Sequence, residues 1–421
     1  MKESFAVSVI IPVFNNWGLT RQCLSSLAEN SPPNMEVIVV DNGSSDETAC
    51  ELVPLGQSLF GAHFQRIRFE ENRNFAPACN AGARAAQANV LFFLNNDTII
   101  LPGWLAPLLE EFAVTPRLGA AGPLLLYEDG TVQHMGIAFW PEGGVGHIYQ
   151  HLPASHALLS TRKRFVKALT GAALCVPRSL FLQIGGFDEG YINGFEDVDF
   201  DLRLVRQGYK LCCTTASKII HLESKTPRRH AYGDDNSKRL KESWNLYNFI
   251  DIPDIVAQDG YCLQVMPELR LKISCSPQIS KEYISHLYPF NAAACFSFLE
   301  EEPLWLDGYS LLGSYLEQRG EWQSALQVYN VSVRYSQCFS FDDYARITRV
   351  MKKSGYDTAL LDGQFNALCQ SLCEERYERE RHTIMRYLAL GSQAGKALLP
   401  LYEQAGEQAR KLRIENDAAE A

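Results

Sequence analysis

The sequence predicts an α/β protein: a doubly wound sheet in its first half, followed by an all-α region of helical repeats. Three observations carry this. Short apolar runs alternate with segments whose apolar residues fall at helical spacing. A polar, turn-rich cluster follows each apolar run. Near the C-terminus, Gly320 and Ala325 recur as Gly355 and Ala359, 35 and 34 residues later. The chain's 421 residues allow two or three folding units at roughly 150 residues each.

The elements follow in order. Ala6 to Val13 is an apolar run closed by Pro12, and Leu19, Cys23, Leu24 and Leu27 then mark a helix. Glu36 to Val40 is a second buried run, ending at Asp41-Asn42-Gly43-Ser44-Ser45-Asp46, a turn rich in capping residues. Arg66 to Phe69 is a third strand, before a small-residue helix from Pro77 to Ala88. Val90 to Leu94 is a fourth, ending at Asn95. Such βα units build a parallel sheet.

Composition narrows the function. Hydrophobic residues make up 46% and charged residues 21%, which excludes wholesale disorder. With 39 Lys and Arg against 49 Asp and Glu, the net charge of -10 repels an extended phosphate backbone, so nucleic acid is not an expected partner. Met1-Lys2-Glu3-Ser4 lacks the basic start and apolar run of a secretion signal. The most apolar window, 90–109, is broken by Asn95-Asn96-Asp97, so no membrane span is expected. The 12 Cys form no paired CxxC, which favours buried thiols, no zinc and a cytoplasmic location. Peripheral association with the inner face of the cell membrane stays open.

In doubly wound sheets, ligands bind outside the carboxyl ends of the strands. Pro12-Val13-Phe14-Asn15, Asp41-Asn42-Gly43, Asn72-Arg73-Asn74 and Asn95-Asn96-Asp97 all follow expected strands, so one crevice collects acceptors, an Arg and a well-placed carboxylate. That is the chemistry of a nucleotide site. Neither GxGxxG nor GxxxxGK[ST] follows the first strand, so a diphosphate would need a hard divalent cation for neutralisation. Asp97 is its best carboxylate in the first half, the alternative being a helix cap before Leu101-Pro102-Gly103.

These residues carry a resemblance. Val9-Ile10-Ile11-Pro12-Val13-Phe14-Asn15, Val39-Val40-Asp41-Asn42-Gly43-Ser44-Ser45-Asp46, Asn72-Arg73-Asn74-Phe75 and Leu94-Asn95-Asn96-Asp97-Thr98 are similar to motifs of family 2 inverting glycosyltransferases of the GT-A fold. So are Gly185-Gly186-Phe187-Asp188-Glu189, Phe195-Glu196-Asp197-Val198-Asp199-Phe200 and Ile220-His221-Leu222-Glu223-Ser224. The resemblance implies a GT-A mixed sheet and a transfer from a nucleoside diphosphate sugar, UDP- or dTDP-linked and rhamnose-like among others. The acceptor would be a hydroxyl of a glycan, lipid-linked or protein molecule.

By the same resemblance Asp41 meets the base or ribose, while Pro12, Phe14, Asn15 and Asn72 shape the nucleoside pocket. Asn95-Asn96-Asp97 stands where the family places its DXD metal motif, with Asp97 the retained carboxylate for Mn2+ or Mg2+. Asn at the first position removes one charge from the cation's site.

Glu196 and Asp197 precede Val198, Phe200, Leu202 and Leu204 and so fall near the first turn of a helix. An inverting transfer needs a carboxylate within about 2.6–3.2 Å of the attacking hydroxyl. The resemblance makes Asp197 this base and gives Glu196 a contact to acceptor or sugar; favouring the helix dipole is the alternative for both. His221 closes an expected strand, Lys218 to Ile220; the resemblance makes it a metal or diphosphate ligand, the alternative being a structural His at a strand end.

The basic loop with Lys225, Arg228, Arg229 and His230 could close over the diphosphate or remain a solvated loop. Gly171 would let the backbone approach donor sugar or acceptor, or serve packing alone. Arg203 and Arg206 suit internal ion pairs. Gly136 to His156 is either an acceptor flap or a surface loop.

Residues 1–250 are thus the expected catalytic domain. Residues 251–304, with five prolines and no steady period, read as a connector, and 305–421 as a tetratricopeptide-like domain. There Tyr309, Leu312, Gly313, Leu316, Gly320, Ala325, Tyr329 and Ser332 match a helix-turn-helix repeat. The repeats would dock an acceptor, a protein partner or a second copy, or else buttress the catalytic domain. The alternative function is an inert sugar-nucleotide-binding scaffold. A nucleotidyltransferase is disfavoured because Phe14-Asn15-Asn16-Trp17 is no triphosphate loop.

Overall fold

The computed structural model describes residues 5–156, 158, 163–222, 232–372 and 375–420. By its own contacts the chain divides into two units. The first comprises Met1–Ala138, Gly146–Tyr149 and Pro153–Asn245, and the second Phe139–Val145, Gln150–Leu152 and Leu246–Ala421.

The first unit begins with alternating strands and helices: β1 (Val7–Val13), α1 (Trp17–Asn30), β2 (Met35–Asp41), α2 (Thr48–Phe60), β3 (Phe64–Arg68), α3 (Phe75–Ala85) and β4 (Val90–Leu94). β1 lies parallel between β2 and β4, and β3 lies parallel outside β2. Strands covered on both faces read as continuous apolar runs, which is why β1, β2 and β4 were legible.

Beyond β4 the sheet becomes mixed. It adds β5 (Thr98–Ile100), α4 (Leu105–Val114), β6 (Leu118–Leu126), β7 (Val132–His134), β8 (Ile137–Phe139), β9 (Val145–His147), β10 (Arg164–Val166) and β11 (Ala173–Pro177). Then come α5 (Arg178–Ile184), α6 (Glu196–Arg206), β12 (Lys210–His221) and α7 (Gly233–Ser243). The strand order is β10-β12-β6-β11-β4-β1-β2-β3, with β5 on β12 and β7 on β6, while β8 and β9 pair with each other. The doubly wound mixed sheet and the all-helical C-terminal region expected from the sequence are both present.

Three elements differ from the sequence expectation; α3, at Phe75–Ala85, starts two residues before and ends three before the expected Pro77 to Ala88, because Ala86 caps it with its N–H on the Gly82 carbonyl and leaves the helix. β12 runs from Lys210, eight positions before the expected Lys218, because its first part is Leu211-Cys212-Cys213-Thr214-Thr215 rather than an aliphatic run. A register shift against β6 between Thr214 and Lys218 accommodates the polar middle, where the buried Ser217 hydroxyl donates to the Trp104 carbonyl at 2.5 Å. β3 starts two residues early, since its pairing with β2 runs from Phe64 to Arg68.

An aromatic cluster lies beneath the rim. Phe93 packs on Phe181 and Phe187 at 4.7 and 5.0 Å, Phe200 on the same two rings at 5.1 and 5.3 Å, and Phe75 on Phe187 at 5.8 Å. It fastens α3, β4, α5 and α6 together.

The second unit contains α8 (Ile252–Gln258), the hairpin β13 (Cys262–Val265) and β14 (Leu271–Ser274), α9 (Pro277–His286) and α10 (Ala292–Glu301). Helices α11 (Leu306–Gln318), α12 (Trp322–Ser336), α13 (Phe341–Lys353), α14 (Ala359–Leu372), α15 (Glu375–Leu390), α16 (Gln393–Lys396) and α17 (Leu399–Glu420) complete it. The 35-residue spacing has a physical basis. Gly320 and Gly355, with φ of +75° and +77°, follow α11 and α13 in the left-handed conformation that ends helices. A Cβ at Gly313 would lie 2.3 Å from the Tyr329 ring, so α11 and α12 approach where no side chain intervenes. Among the described residues no helix is long and apolar enough to cross a membrane.

This unit buries carboxylates without partners. Glu142 Oε2 and both oxygens of Glu268 are buried and accept no hydrogen bond, and burial pushes each carboxyl up to about 7. A carboxyl raised this far in the fold favours the folded state while protonated. That advantage is complete below the unfolded value near 4.5 and disappears as pH rises through about 7. Thermal melts should therefore show lower stability at pH 8 than at pH 5.5, and Glu268→Gln should recover on the order of 2–3 kcal/mol at pH 8. A variant that melts like the parent at pH 8 would refute this assignment.

Candidate active site

The site begins where β1, β2 and β3 end. Asp41 is wholly buried; its Oδ1 accepts the Ser44 N–H at 2.9 Å, and Oδ2 is paired with the guanidinium of Arg68, its register partner on β3. Gly43 makes the tight turn possible: its φ is +80°, and a Cβ there would lie 2.8 Å from the Glu71 backbone.

Asn15 joins this turn from β1, donating its N–H to Ser44 Oγ at 2.9 Å and accepting the Ser45 N–H on Oδ1 at 2.8 Å. Asn42 ties three loops. Its N–H reaches the Val13 carbonyl at 2.7 Å, its Nδ2 donates to the Asn74 carbonyl at 2.9 Å, and its Oδ1 accepts the Arg73 N–H at 3.0 Å. Asn72 Oδ1 accepts the Asn74 N–H at 2.8 Å. Asn15, Asn16 and Asn74 have φ of +54°, +59° and +69°, a backbone region that Asn tolerates better than most residues. Pro12 sits within β1 opposite Val40, and Phe14 is 37% exposed beside it.

A second cluster forms where β4 and β12 end. The Asn95 N–H donates to the Ala172 carbonyl at 2.9 Å. Cys23 contacts Thr98 Oγ1 at 3.4 Å, and burial pushes its thiol up to about 12, so it is neutral there. Asn96 turns its amide to Thr20 Oγ1 on α1, at 2.9 Å.

His221, paired with Thr98 across the β12–β5 ladder, brings Nε2 to 3.1 Å from Asp97 Oδ1 and 3.4 Å from Asn95 Nδ2. The Gln133 amide fixes the imidazole. Its Nε2 donates to the His221 carbonyl at 3.0 Å, so its Oε1 faces His221 Nδ1 at 2.7 Å and that nitrogen must carry a proton. Nε2 and the Asp97 carboxylate thus face each other, and a divalent cation bound here would be held by these two side chains. Among the described residues no group of three or more His, Cys, Asp or Glu could hold a metal by itself. Nearby, His134 lies 2.7 Å from His147 and is held well below the usual imidazole range by burial and by the rings of His147 and His221.

A third cluster surrounds the start of α6. Asp197 Oδ2 accepts the Gly171 N–H at 2.8 Å, and Oδ1 accepts the Val198 N–H at 2.8 Å. A Cβ at Gly171 would lie 3.2 Å from the Phe75 ring and 3.4 Å from Asp197 Cβ, so this contact needs glycine or a shift of its neighbours. Glu196 Oε2 accepts the Gly194 N–H at 2.6 Å. Asn193 closes the circle, accepting the Phe75 N–H at 3.0 Å and donating to Asn74 Oδ1 at 3.3 Å.

The Gly185-Gly186 pair is structural. Asn80 Oδ1 accepts the Phe187 N–H at 2.9 Å, and a Cβ at Gly186 would lie 2.5 Å from that oxygen. Arg203 pairs with Asp199 at 2.9 Å, while Arg206 stacks 4.8 Å over the Trp244 ring instead of pairing with a carboxylate.

The expected residues therefore fall into three hydrogen-bonded groups. Asn15 joins Asp41, Asp97 joins His221 and Asn95, and Asp197 joins Gly171. Asn74 and Asn193 link the first group to the third, and the Gly171 N–H and Ala172 carbonyl, through Asn95, link the third to the second. Arg228 and the rest of its basic loop lie outside the described residues. Sequence reasoning missed Arg68, Gln133 and Asn193; only Asn193, in the turn before Glu196, carried a signal.

Residues 8–155 match the family model described as Glycosyl transferase family 2. The chain is 33% identical over 233 residues to an O-antigen biosynthesis protein, RfbC, of Myxococcus xanthus, covering 53% of this chain and 18% of that protein. It is 29% identical over 245 residues to the N-acetylglucosaminyl-diphospho-decaprenol L-rhamnosyltransferase of Mycobacterium tuberculosis, covering 52% of this chain and 74% of that one. A solved structure of GalNAc-T7 with UDP, GalNAc and Mn2+ aligns with a TM-score of 0.46 and 20% identity, over 61% of this chain and 52% of that chain. The chain thus spans less than a fifth of the length of the first of these relatives. The stretch similar to that family model, residues 8–155, holds Asn15, Asp41, Asn95 and Asp97, while His221 and Asp197 lie beyond it.

Proposed function

We propose that this chain is an inverting glycosyltransferase, moving a sugar from a nucleoside diphosphate sugar to an acceptor hydroxyl with Asp197 as general base. The observation that carries the reading is the hydrogen-bonded rim joining Asp97 and His221 to Asp197 through Asn95, the Ala172 carbonyl and the Gly171 N–H. It provides a cation site and a base on two arms of one network, as an in-line displacement requires.

Asp197 takes the acceptor proton while the hydroxyl oxygen bonds to the anomeric carbon. The bond from that carbon to the diphosphate oxygen breaks, and its electron pair leaves with the diphosphate. The Gly171 and Val198 N–H groups hold the carboxylate in place at the start of α6. A divalent cation, Mn2+ or Mg2+, held by Asp97 and His221 would neutralise the departing diphosphate. Asp41, Asn15, Asn72, Pro12 and Phe14 form the nucleoside side, and Glu196 contacts acceptor or sugar. Similarity to an L-rhamnosyltransferase and an O-antigen biosynthesis protein supports a hexose or deoxyhexose donor on UDP or dTDP, and a glycan or lipid-linked acceptor.

The test is release of nucleoside diphosphate from a panel of UDP- and dTDP-sugars, with and without Mn2+ or Mg2+. Turnover of one donor is expected, with Asp197→Asn lowering kcat by about 100-fold or more while donor binding, read by thermal shift, persists. Full turnover in that variant would remove Asp197 from the role. A scaffold without activity would bind a donor and release nothing.

Gln133 tests the cation site separately. Gln133→Leu frees the imidazole to turn, and the cation concentration for half-maximal rate should rise by about 10–100-fold. An unchanged cation titration would argue against His221 as a ligand.

A further inference from the structure

We propose that Asp201 is a positioning residue for the same reaction, anchoring the 169–172 segment so that the Gly171 N–H meets Asp197. This rests on the reading of Asp197 as the base. The two carboxylates stand four residues apart on one face of α6, and both receive backbone N–H groups from that one segment. Gly171 donates to Asp197 Oδ2 at 2.8 Å, and Leu169 donates to Asp201 Oδ2 at 2.6 Å. The next residue, Ala172, accepts the Asn95 N–H at 2.9 Å, so the segment held by Asp201 also borders the cation side.

Asp201 itself is wholly buried, and its Oδ1 has no hydrogen-bond partner. The charged groups that act on it are Asp197 and Arg203. Burial pushes its carboxyl well above the usual range, and the nearby Asp197 adds to the rise. The oxygen that takes the Leu169 N–H is a backbone acceptor at a fixed distance from α6. An amide could do the same, and an aliphatic side chain could not.

The full-length chain is assayed with whichever UDP- or dTDP-sugar it turns over, at fixed cation concentration. Asp201→Ala should lower kcat by on the order of 10–100-fold with donor KM within about twofold, because a displaced base costs rate rather than donor binding. Asp201→Asn, which keeps the acceptor oxygen, should restore most of the lost rate. Parent-like kcat in Asp201→Ala, or an Asn variant as slow as the Ala variant, would overturn the proposal.

Should Asp201→Ala not fold, Asp201→Ser, whose hydroxyl is too short to reach the Leu169 N–H, replaces it with the same expectations. Hydrogen–deuterium exchange over residues 169–172 gives a readout independent of catalysis. Exchange should be faster in the Ala or Ser variant than in the Asn variant, and equal exchange would refute the anchoring. If Asp197→Asn keeps full turnover while exchange responds as expected, it is the base assignment that fails and not the anchor.

Discussion

The architecture depends on one constraint: the polar groups at the carboxyl ends of buried strands must find partners, and here they find them in one another. β1, β2 and β4 are covered on both faces, so the chain leaves them carrying donors and acceptors that water reaches only at the rim. Asn42 takes up groups from the loops after β1 and β3, Asn193 those of Asn74 and Phe75, and Asn95 that of Ala172. Satisfying the backbone and assembling the site are thus a single arrangement. Loosening one loop would leave its neighbours unpaired, so the site inherits the rigidity of the sheet.

The three central carboxylates are held in different ways. Asp41, wholly buried, is paired with Arg68, which offsets the cost of removing its charge from water. Asp97 faces an imidazole whose tautomer is set by Gln133, and such a partner suits a shared cation better than a permanent ion pair. Asp197 accepts the Gly171 and Val198 N–H groups, which orient its carboxylate at the start of α6.

Much of this was legible in the chain. The strands β1, β2 and β4 and the helical start at Glu196 all follow from apolar runs and turn chemistry, as does the positioning of Asn15, Asp41 and Asp97 at strand ends. The first part of β12 was not, because buried threonines and cysteines have no period that distinguishes them from a loop. Gln133, Arg68 and Asp201 escaped for a different reason. Each acts on a group far along the chain, Gln133 on His221 and Asp201 on Leu169, and such a pairing exists only after folding has brought β7 beside β6 and α6 against the segment before β11. Motifs mark the residues proposed for the site; the residues that hold those residues carry ordinary polar identities.

The aromatic cluster explains why the third group can be precise although it begins on a turn. Asn193 and Phe195 have φ of +51° and +69°, so the chain enters α6 through a strained reversal. Strain of this kind persists only where the surroundings over-determine it. Phe200, one turn into the helix, is locked against Phe181 and Phe187, and Phe187 is fixed at its backbone by Asn80. Phe75 packs on the same ring and gives its N–H to Asn193. Hydrophobic packing below and hydrogen bonds above thus constrain the same few residues, and Asp197 sits at their junction. A helix supplies the base with a direction and the cluster gives that helix a place, which loops alone would not provide.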